Sequence, residues 1–156
     1  MARLHIERKA SDNKYLHRDF FESGDIGIIY VGENFGDAGV KEYLTQYAQS
    51  FYKLLVQKVL SNGLVELKKY FEEVYEKEEW SKYLHTNFDD DQLTICVDKC
   101  PAVTYMKSIG HTPSKWYRET VYTVYRVLAD MCQLDFIVEY YDEEDGKMKI
   151  IFIRRK

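Results

Sequence analysis

Hydrophobic and polar positions follow two different periods in the two halves of the chain. From residue 13 to about residue 80, apolar side chains recur every three or four residues, which is typical of amphipathic α-helices. From residue 83 onward, short runs alternate between apolar and polar side chains, which is the period of a half-buried β-strand. The pattern therefore predicts a helical N-terminal half, followed by a half in which strands and helices are mixed.

The first half predicts four helices. Asn13 caps the first helix, Gly24 ends it, and the second helix runs from Ile26 to a stop at Phe35-Gly36. The third helix ends at Gly63, a residue that is common just past a helix C-terminus. The apolar stripe of the third helix is formed by Val40, Tyr43, Leu44, Tyr47, Phe51, Leu54, Leu55 and Val59, and that of the fourth by Leu64, Leu67, Phe71, Val74 and Tyr75.

The second half predicts two β-hairpins with two helices between them. Residues 83–88 and 92–98 pair through an acidic turn, and residues 135–142 and 147–154 pair through a turn that contains Asp145-Gly146. We expect an α+β fold with the order β-β-α-α-β-β after the helical half. The sheet is expected to be four-stranded and antiparallel, and residues 1–156 are expected to form one domain.

The two predicted helices between the hairpins begin at prolines. A short helix follows Cys100-Pro101 and ends at Gly110. A longer helix begins at Thr112-Pro113 and lies across one face of the sheet. Its apolar stripe is formed by Tyr117, Val121, Val124, Leu128 and Met131.

The corner between the second strand and the short helix is the first candidate for chemistry. Proline suits the first helical turn, so Cys100 falls at or next to the helix N-cap. Backbone N–H groups and the helix dipole stabilise a thiolate there, which predicts a pKa below the usual value of about 8.5. Cys100 is then expected to be alkylated faster than Cys132. The alternative is a small cysteine that fills a tight, buried corner.

Composition narrows the classes of function. The three cysteines are an odd number without zinc-type spacing, so we expect a reducing compartment and no disulfide framework. The N-terminus has no apolar targeting segment and no run reaches membrane-spanning length, which predicts a cytoplasmic protein without a membrane partner. The net charge of −4 disfavours a nucleic-acid partner.

Tyrosine is unusually frequent, with fourteen residues in the chain. Tyrosine has an apolar ring and a polar tip, so a tyrosine-rich core can line a pocket that is apolar and still forms hydrogen bonds. The alternative is a solid core in which tyrosine replaces leucine and the hydroxyl groups reach the surface. The candidate ligand-binding residues, expected to converge with Cys100, are Tyr30, Tyr47, Tyr52, Tyr105 and Tyr125.

Several of these segments resemble a known family. The strand–Cys-Pro–helix corner, the long helix and the acidic hairpin resemble the L-2-amino-thiazoline-4-carboxylate hydrolase family. The segments Tyr15-Leu-His-Arg-Asp-Phe20 and Gly36-Asp-Ala-Gly-Val-Lys-Glu-Tyr-Leu44 are similar to bacterial members of it. More remotely, the order of elements is similar to 4-vinyl-reductase-type small-molecule-binding domains and their haem–nitric-oxide-binding relatives. The resemblance implies a ligand cavity between the helices and the sheet, and a homodimer.

Two departures from these families bear on cofactors. Relatives often carry a cysteine just past the glycine of the last hairpin, where this chain has Gly146-Lys-Met-Lys149, so a metal held by clustered cysteines is not expected. The Tyr-x-Ser-x-Arg signature of the haem–nitric-oxide binders is also absent. We therefore expect no cofactor, and His111 is expected to be a solvated or capping residue of a loop.

Hydrolysis of a thiazoline ring defines the chemistry to look for. Cys100 is the candidate nucleophile and His17 the candidate acid–base residue. His17 and Asp19 lie two positions apart, so they point to different sides of a helix and His17 needs another partner. Arg118 either pairs with an anionic ligand or lies solvated on the polar face of its helix.

Two hypotheses from different classes follow. The first is a cytoplasmic small-molecule-binding domain with a ligand cavity near Cys100. The second is a hydrolase that acts on a non-peptide C–N bond of a small cyclic substrate. An acid–base group at the cavity distinguishes the second from the first.

Overall fold

The computed structural model describes residues 18–156, which form helices packed against one face of a four-stranded antiparallel sheet. The predicted α+β class, the helical N-terminal half and the two β-hairpins are confirmed. The helices are α1 (Asp19–Phe51), α2 (Lys53–Asn62), α3 (Val65–Lys77), α4 (Pro101–Ser108), α5 (Glu119–Tyr122) and α6 (Val124–Met131), and the strands are β1 (Leu84–Phe88), β2 (Gln92–Val97), β3 (Leu134–Tyr141) and β4 (Met148–Arg154).

The sheet has the strand order β1-β2-β4-β3, so the second strand of each hairpin lies at the centre. Alternation along β2 turns Leu93, Ile95 and Val97 toward the helices, where they have no exposed surface. Helix α3 packs against β1 and α6 against β3, while α1 contacts α4, α5 and α6. The core therefore lies between the inner face of the sheet and the helices.

Helix α1 consists of two helical arms that join at Gly36. Gly36 has φ 69° and ψ −168°, a conformation that favours glycine, and it confirms the predicted stop at this position. The two arms fold back on each other. Gly27 of the first arm therefore lies beside Tyr43 of the second, and a Cβ atom on Gly27 would be 3.7 Å from the Tyr43 hydroxyl oxygen. The predicted end at Gly24 is wrong, since the first arm continues through it. Burial of Ile28 on this arm outweighs the modest helix penalty of one glycine.

The longer helix that was predicted to begin at Pro113 begins only at Glu119. Residues 112–114 have no regular structure and residues 115–118 form a turn instead, and the helical segment is interrupted again at Thr123. The physical reason is a contact from α1: the Asp25 carboxylate accepts hydrogen bonds from the Ser114 N–H group at 2.8 Å and the Ser114 hydroxyl at 2.7 Å. These bonds hold the residues after Pro113 in a loop.

Two glycines on the first arm of α1 allow a matched test of this packing. A Cβ atom at Gly32 would lie 2.6 Å from three ring atoms of Trp116, whereas Gly24 has no neighbour within 4 Å. We expect Gly32→Ala to lower the free energy of unfolding by about 1–3 kcal/mol through overpacking. Gly24→Ala should raise it by about 0.5–1 kcal/mol, because alanine favours the helix. Urea unfolding of both variants measures the difference, and equal effects would contradict the packing described.

Candidate functional site

Cys100 occupies the position that the sequence predicts. It is the N-cap residue of α4, with φ −85° and ψ 128°, and Pro101 begins the helix. Its backbone N–H group donates a hydrogen bond to the Asp145 carbonyl at 2.9 Å. A Cβ atom on Gly146 would lie 2.3 Å from Cys100 Cβ and 3.4 Å from its Sγ. The turn of the β3–β4 hairpin therefore closes directly over the thiol, and glycine is needed at that contact.

Four tyrosines lie close to Cys100. A negative charge on the Cys100 thiol would raise the pKa values of their hydroxyl groups. They come from four different parts of the chain: α3, the loop before α5, α6 and the end of β3. We call Cys100 and these four residues the Cys100–tyrosine cluster. Its tyrosines are Tyr75, Tyr117, Tyr125 and Tyr141.

A β-bulge directs Tyr141 into this cluster. Val138 pairs with Ile150, but one residue is then skipped, so that Tyr140 pairs with Lys149 and Tyr141 with Met148. Ile150 and Met148 lie on the inner face of the sheet and are buried. The extra residue therefore shifts the alternation by one position and turns Tyr141 inward, while Tyr140 stays 42% exposed.

The surroundings of the cluster are aromatic. The rings of Phe71 and Tyr125 meet edge to face at 5.3 Å, and those of Tyr122 and Tyr141 at 6.2 Å. Phe152, which has no exposed surface, lies 6.1 Å from Phe71. None of the four cluster hydroxyl groups is among the fully buried side-chain atoms of residues 18–156 that lack a hydrogen-bond partner. The site thus combines aromatic walls with several tyrosine hydroxyl groups.

The expected thiolate at Cys100 is wrong, because burial outweighs the helix N-terminus. Desolvation raises the pKa of the Cys100 thiol, and the carboxylates of Asp145 and Glu78 add to the rise. The N–H groups of Val103 and Ala102 lower the pKa, as the N-cap position predicts, but by less. Cys100 is therefore a neutral thiol at physiological pH.

Burial also raises the pKa of every tyrosine in the cluster. Desolvation is the largest cause in each case, and the neighbouring thiol and hydroxyl groups add to it. The opposing influence of Arg118 on the pKa of Tyr141 is smaller. All four hydroxyl groups are protonated near neutral pH, so they are available as hydrogen-bond donors.

The structure brings only part of the predicted site together. Tyr125 lies in the cluster with Cys100, and Tyr52 lies near Tyr125 in a buried hydrogen-bonded pair with Tyr70. Tyr105 is partly buried on α4, where its ring meets Phe21 at 6.4 Å.

The remaining predicted residues lie away from the thiol or outside the described chain. Tyr30 is 65% exposed and Tyr47 is 43% exposed on α1, and the ring of Tyr47 stacks on Phe51. His17 lies outside the described residues, so its acid–base role stays a prediction.

Three cluster tyrosines were missed as site residues. Tyr75 and Tyr117 belong to the apolar stripes of predicted helices. That pattern predicts that both residues are buried, but it does not predict that they converge on Cys100. Tyr141 had no such signal, because regular alternation along β3 turns Tyr140 inward in its place.

A second buried arrangement joins α1 to the loop that carries Tyr117. Asp25 has no exposed surface, and its Oδ2 lies 2.8 Å from His111 Nε2 in addition to its two bonds with Ser114. Glu22 lies 3.7 Å from the other ring nitrogen of His111. His111 was expected to be a solvated or capping residue; it is instead partly buried, and its ring lies against two carboxylates of α1.

Two surface depressions lie outside the cluster. A groove of about 640 Å³ borders Cys132 and Arg154 at the ends of α6 and β4. A smaller depression of about 360 Å³ is lined in part by Trp116, Arg118 and Glu143. Neither is lined by Cys100, but the second is formed by chain neighbours of Tyr117 and Tyr141.

The described part of the chain limits the other kinds of site. Among residues 18–156, no three His, Cys, Asp or Glu side chains are grouped so that they could hold a metal ion. In the same residues, no helix is both long and apolar enough to cross a lipid bilayer. The cytoplasmic location and the absence of a nucleic-acid partner stay predictions.

Comparison with known proteins adds no family. No protein-family model matches the chain, and no curated protein is similar enough to it to count as a relative. The function must therefore be argued from the site itself.

Thiol alkylation tests the environment of the cysteines. Burial raises the pKa of Cys132 to about 11 and also raises that of Cys100. Labelling by iodoacetamide should therefore be slow near neutral pH and should keep rising about tenfold per pH unit beyond about pH 9, where a free thiol levels off. Peptide mass spectrometry resolves each site, and the urea-unfolded chain is the control. A Cys100 rate that levels off below about pH 8 would contradict its burial.

The buried tyrosines predict a loss of stability in alkali. Their folded-state pKa values exceed the unfolded value of about 10, so the folded state holds more protons above that pH. The contribution of these tyrosines to the free energy of unfolding is complete below about pH 10. It is lost as the pH rises through their folded-state pKa values. Urea unfolding should show the decline, and Tyr125→Phe should make it shallower. An unchanged slope in that variant would argue against the protonated, desolvated state of Tyr125.

Proposed function

We propose that this chain is a small-molecule-binding domain whose ligand lies between the helices and the sheet, against the Cys100–tyrosine cluster. The observation that carries the proposal is the convergence of four tyrosines, from separate parts of the chain, on the Cys100 thiol, over which the β3–β4 turn closes. Protonated hydroxyl groups donate hydrogen bonds, so a ligand with acceptor atoms would match this cluster.

The accessibility of the cluster supports the proposal. Cys100, Tyr117 and Tyr125 are largely desolvated, yet each of them keeps some accessible surface that a ligand could reach. The depression at Trp116, Arg118 and Glu143 lies beside the cluster in the chain and is the route of entry that we infer.

The hydrolase hypothesis draws less support from the geometry. It requires Cys100 to ionise near neutral pH, and burial acts against that. Its acid–base residue, His17, lies outside the described chain. The site favours binding over turnover because its groups are neutral donors rather than an activated nucleophile and base.

The homodimer also stays a proposal. Four exposed apolar side chains follow one another along the second arm of α1 and the start of α2. They are Tyr43, Tyr47, Phe51 and Leu54, and they define the surface on which self-association should first be tested.

Removal of single hydroxyl groups tests the proposed site through stability. Tyr125→Phe and Tyr141→Phe should change the free energy of unfolding by less than about 0.5 kcal/mol, because their hydroxyl groups are offered to a ligand rather than bonded within the core. Tyr52→Phe is the matched control: its hydroxyl is buried but bonded to Tyr70, so the variant should lose about 1 kcal/mol. A comparable loss in all three variants, measured by urea unfolding, would contradict the proposal.

Binding of a neutral aromatic probe tests the same site directly. Benzamide should shift the amide NMR signals of residues around Cys100, and Tyr125→Phe or Tyr141→Phe should weaken its affinity severalfold. Tyr140→Phe is the control on the adjacent, outward-facing position and should bind as the unmodified chain does. Shifts confined to the outer surface would contradict a ligand site in the core.

A further inference from the structure

Exposed apolar side chains are concentrated on α1 and α2 in the part of the chain that the structure describes. Helices that cover a core usually turn such side chains inward and present charged ones to water. Gly27 of the first arm lies beside the Tyr43 hydroxyl, so the exposed side chains of the two arms adjoin. We call six of them, which are 42% to 73% exposed, the α1–α2 face: Ile26 and Tyr30 on the first arm, Tyr43, Tyr47 and Phe51 on the second arm, and Leu54 on α2.

The helix segments that carry this face have almost no charge. Charged residues make up 31% of the chain, yet residues 43–52 contain none. On the other arm, residues 23–32 contain only Asp25, which is completely buried. Charged residues are depleted and aromatic residues are enriched at the centre of protein–protein interfaces. The α1–α2 face therefore has the composition of an interface rather than that of a solvated helix surface.

The size of the face fits a contact between two folded domains. A large apolar side chain has roughly 200 Å² of surface, so six that are about half exposed offer about 600–700 Å². The largest apolar patch on a typical monomer is about 300–600 Å². A standard interface buries about 800 Å² on each partner. Gln46 and Ser50 are exposed on the second arm and add neutral surface to the face.

The charges at the two ends of the uncharged segment fit a second copy of the chain. Glu42 precedes the segment and Lys53 follows it, about three helical turns away, so both lie on the same side of the helix. A two-fold axis near Tyr47 would place Glu42 of each copy against Lys53 of the partner subunit. Lys41 lines the depression at Trp116 instead. Opposite charges at the rim favour this antiparallel pairing, whereas parallel pairing would bring like charges together.

We propose that the α1–α2 face binds the same face of a second copy of this chain, in an antiparallel pair. The inference rests on the homodimer of the proposed function and names its interface. It does not depend on the ligand site, because none of the six side chains belongs to the Cys100–tyrosine cluster.

Two leucines of α2 give a matched pair of variants. Leu54 belongs to the face and is 73% exposed, whereas Leu60 is 51% exposed and borders the groove beside Cys132. Sedimentation velocity of the whole chain should show a dimer at micromolar concentrations. Leu54→Glu should raise its dissociation constant by about tenfold or more, and Leu60→Glu should change it by less than about twofold. Urea unfolding checks that both variants keep the fold.

The outcomes separate the interface from the homodimer itself. Equal effects of Leu54→Glu and Leu60→Glu on a dimeric chain would overturn the interface and leave the homodimer in place. A monomeric chain would overturn both, and the face would then serve another occupant, such as residues 1–17 or a different protein. Neither outcome bears on the ligand site.

Charge reversal tests the antiparallel arrangement. Glu42→Lys or Lys53→Glu alone should weaken the dimer severalfold, because each variant brings like charges together across the two-fold axis. The double variant restores opposite charges and should recover an affinity within about twofold of that of the unmodified chain. Single variants without effect, or weakening that adds up in the double variant, would overturn the antiparallel pairing.

Discussion

The buried carboxylate of Asp25 is the contact on which the arrangement of the site depends. A desolvated carboxylate is costly unless hydrogen bonds satisfy it, and Asp25 meets that condition with the Ser114 N–H and hydroxyl groups and the His111 ring. All of these partners lie in the loop between α4 and α5. The bonds prevent that loop from continuing as helix, and they fix the position from which Tyr117 reaches the cluster. Trp116, in the same loop, packs where Gly32 leaves room.

The Cys100 corner shows two opposing effects on one thiol. A helix N-terminus lowers the pKa of a cysteine, and the N–H groups of Ala102 and Val103 act in that direction. Closure of the β3–β4 turn over the same residue removes the thiol from water, and desolvation is the larger effect. The outcome is a neutral donor in an aromatic setting. This is the physical reason for preferring a binding site to a catalytic nucleophile.

The cluster gathers polar side chains in one part of an otherwise apolar core. Most of the core is close-packed and apolar, with Phe71, Leu93, Ile95, Leu128 and Phe152 almost entirely buried. Tyrosine hydroxyl groups are instead concentrated beside Cys100, where they come from α3, α6, β3 and the loop before α5. This concentration of polar groups next to an apolar core is why the proposed binding site is placed there.

The sequence by itself determined the features that depend on local chemistry. The two hairpins follow from strand alternation and acidic turns. The helix breaks at Gly36 and Gly63 follow from glycine, which readily adopts the positive φ found there. The N-cap position of Cys100 follows from the proline after it. Tertiary structure decided the rest. The loop at residues 112–118 depends on Asp25, which is 86 positions from His111 in the chain. The bulge in β3 places Tyr141 rather than Tyr140 inside, and burial reverses the expected shift in the pKa of Cys100. Each of these outcomes depends on groups that meet only after folding, so no local pattern encodes them.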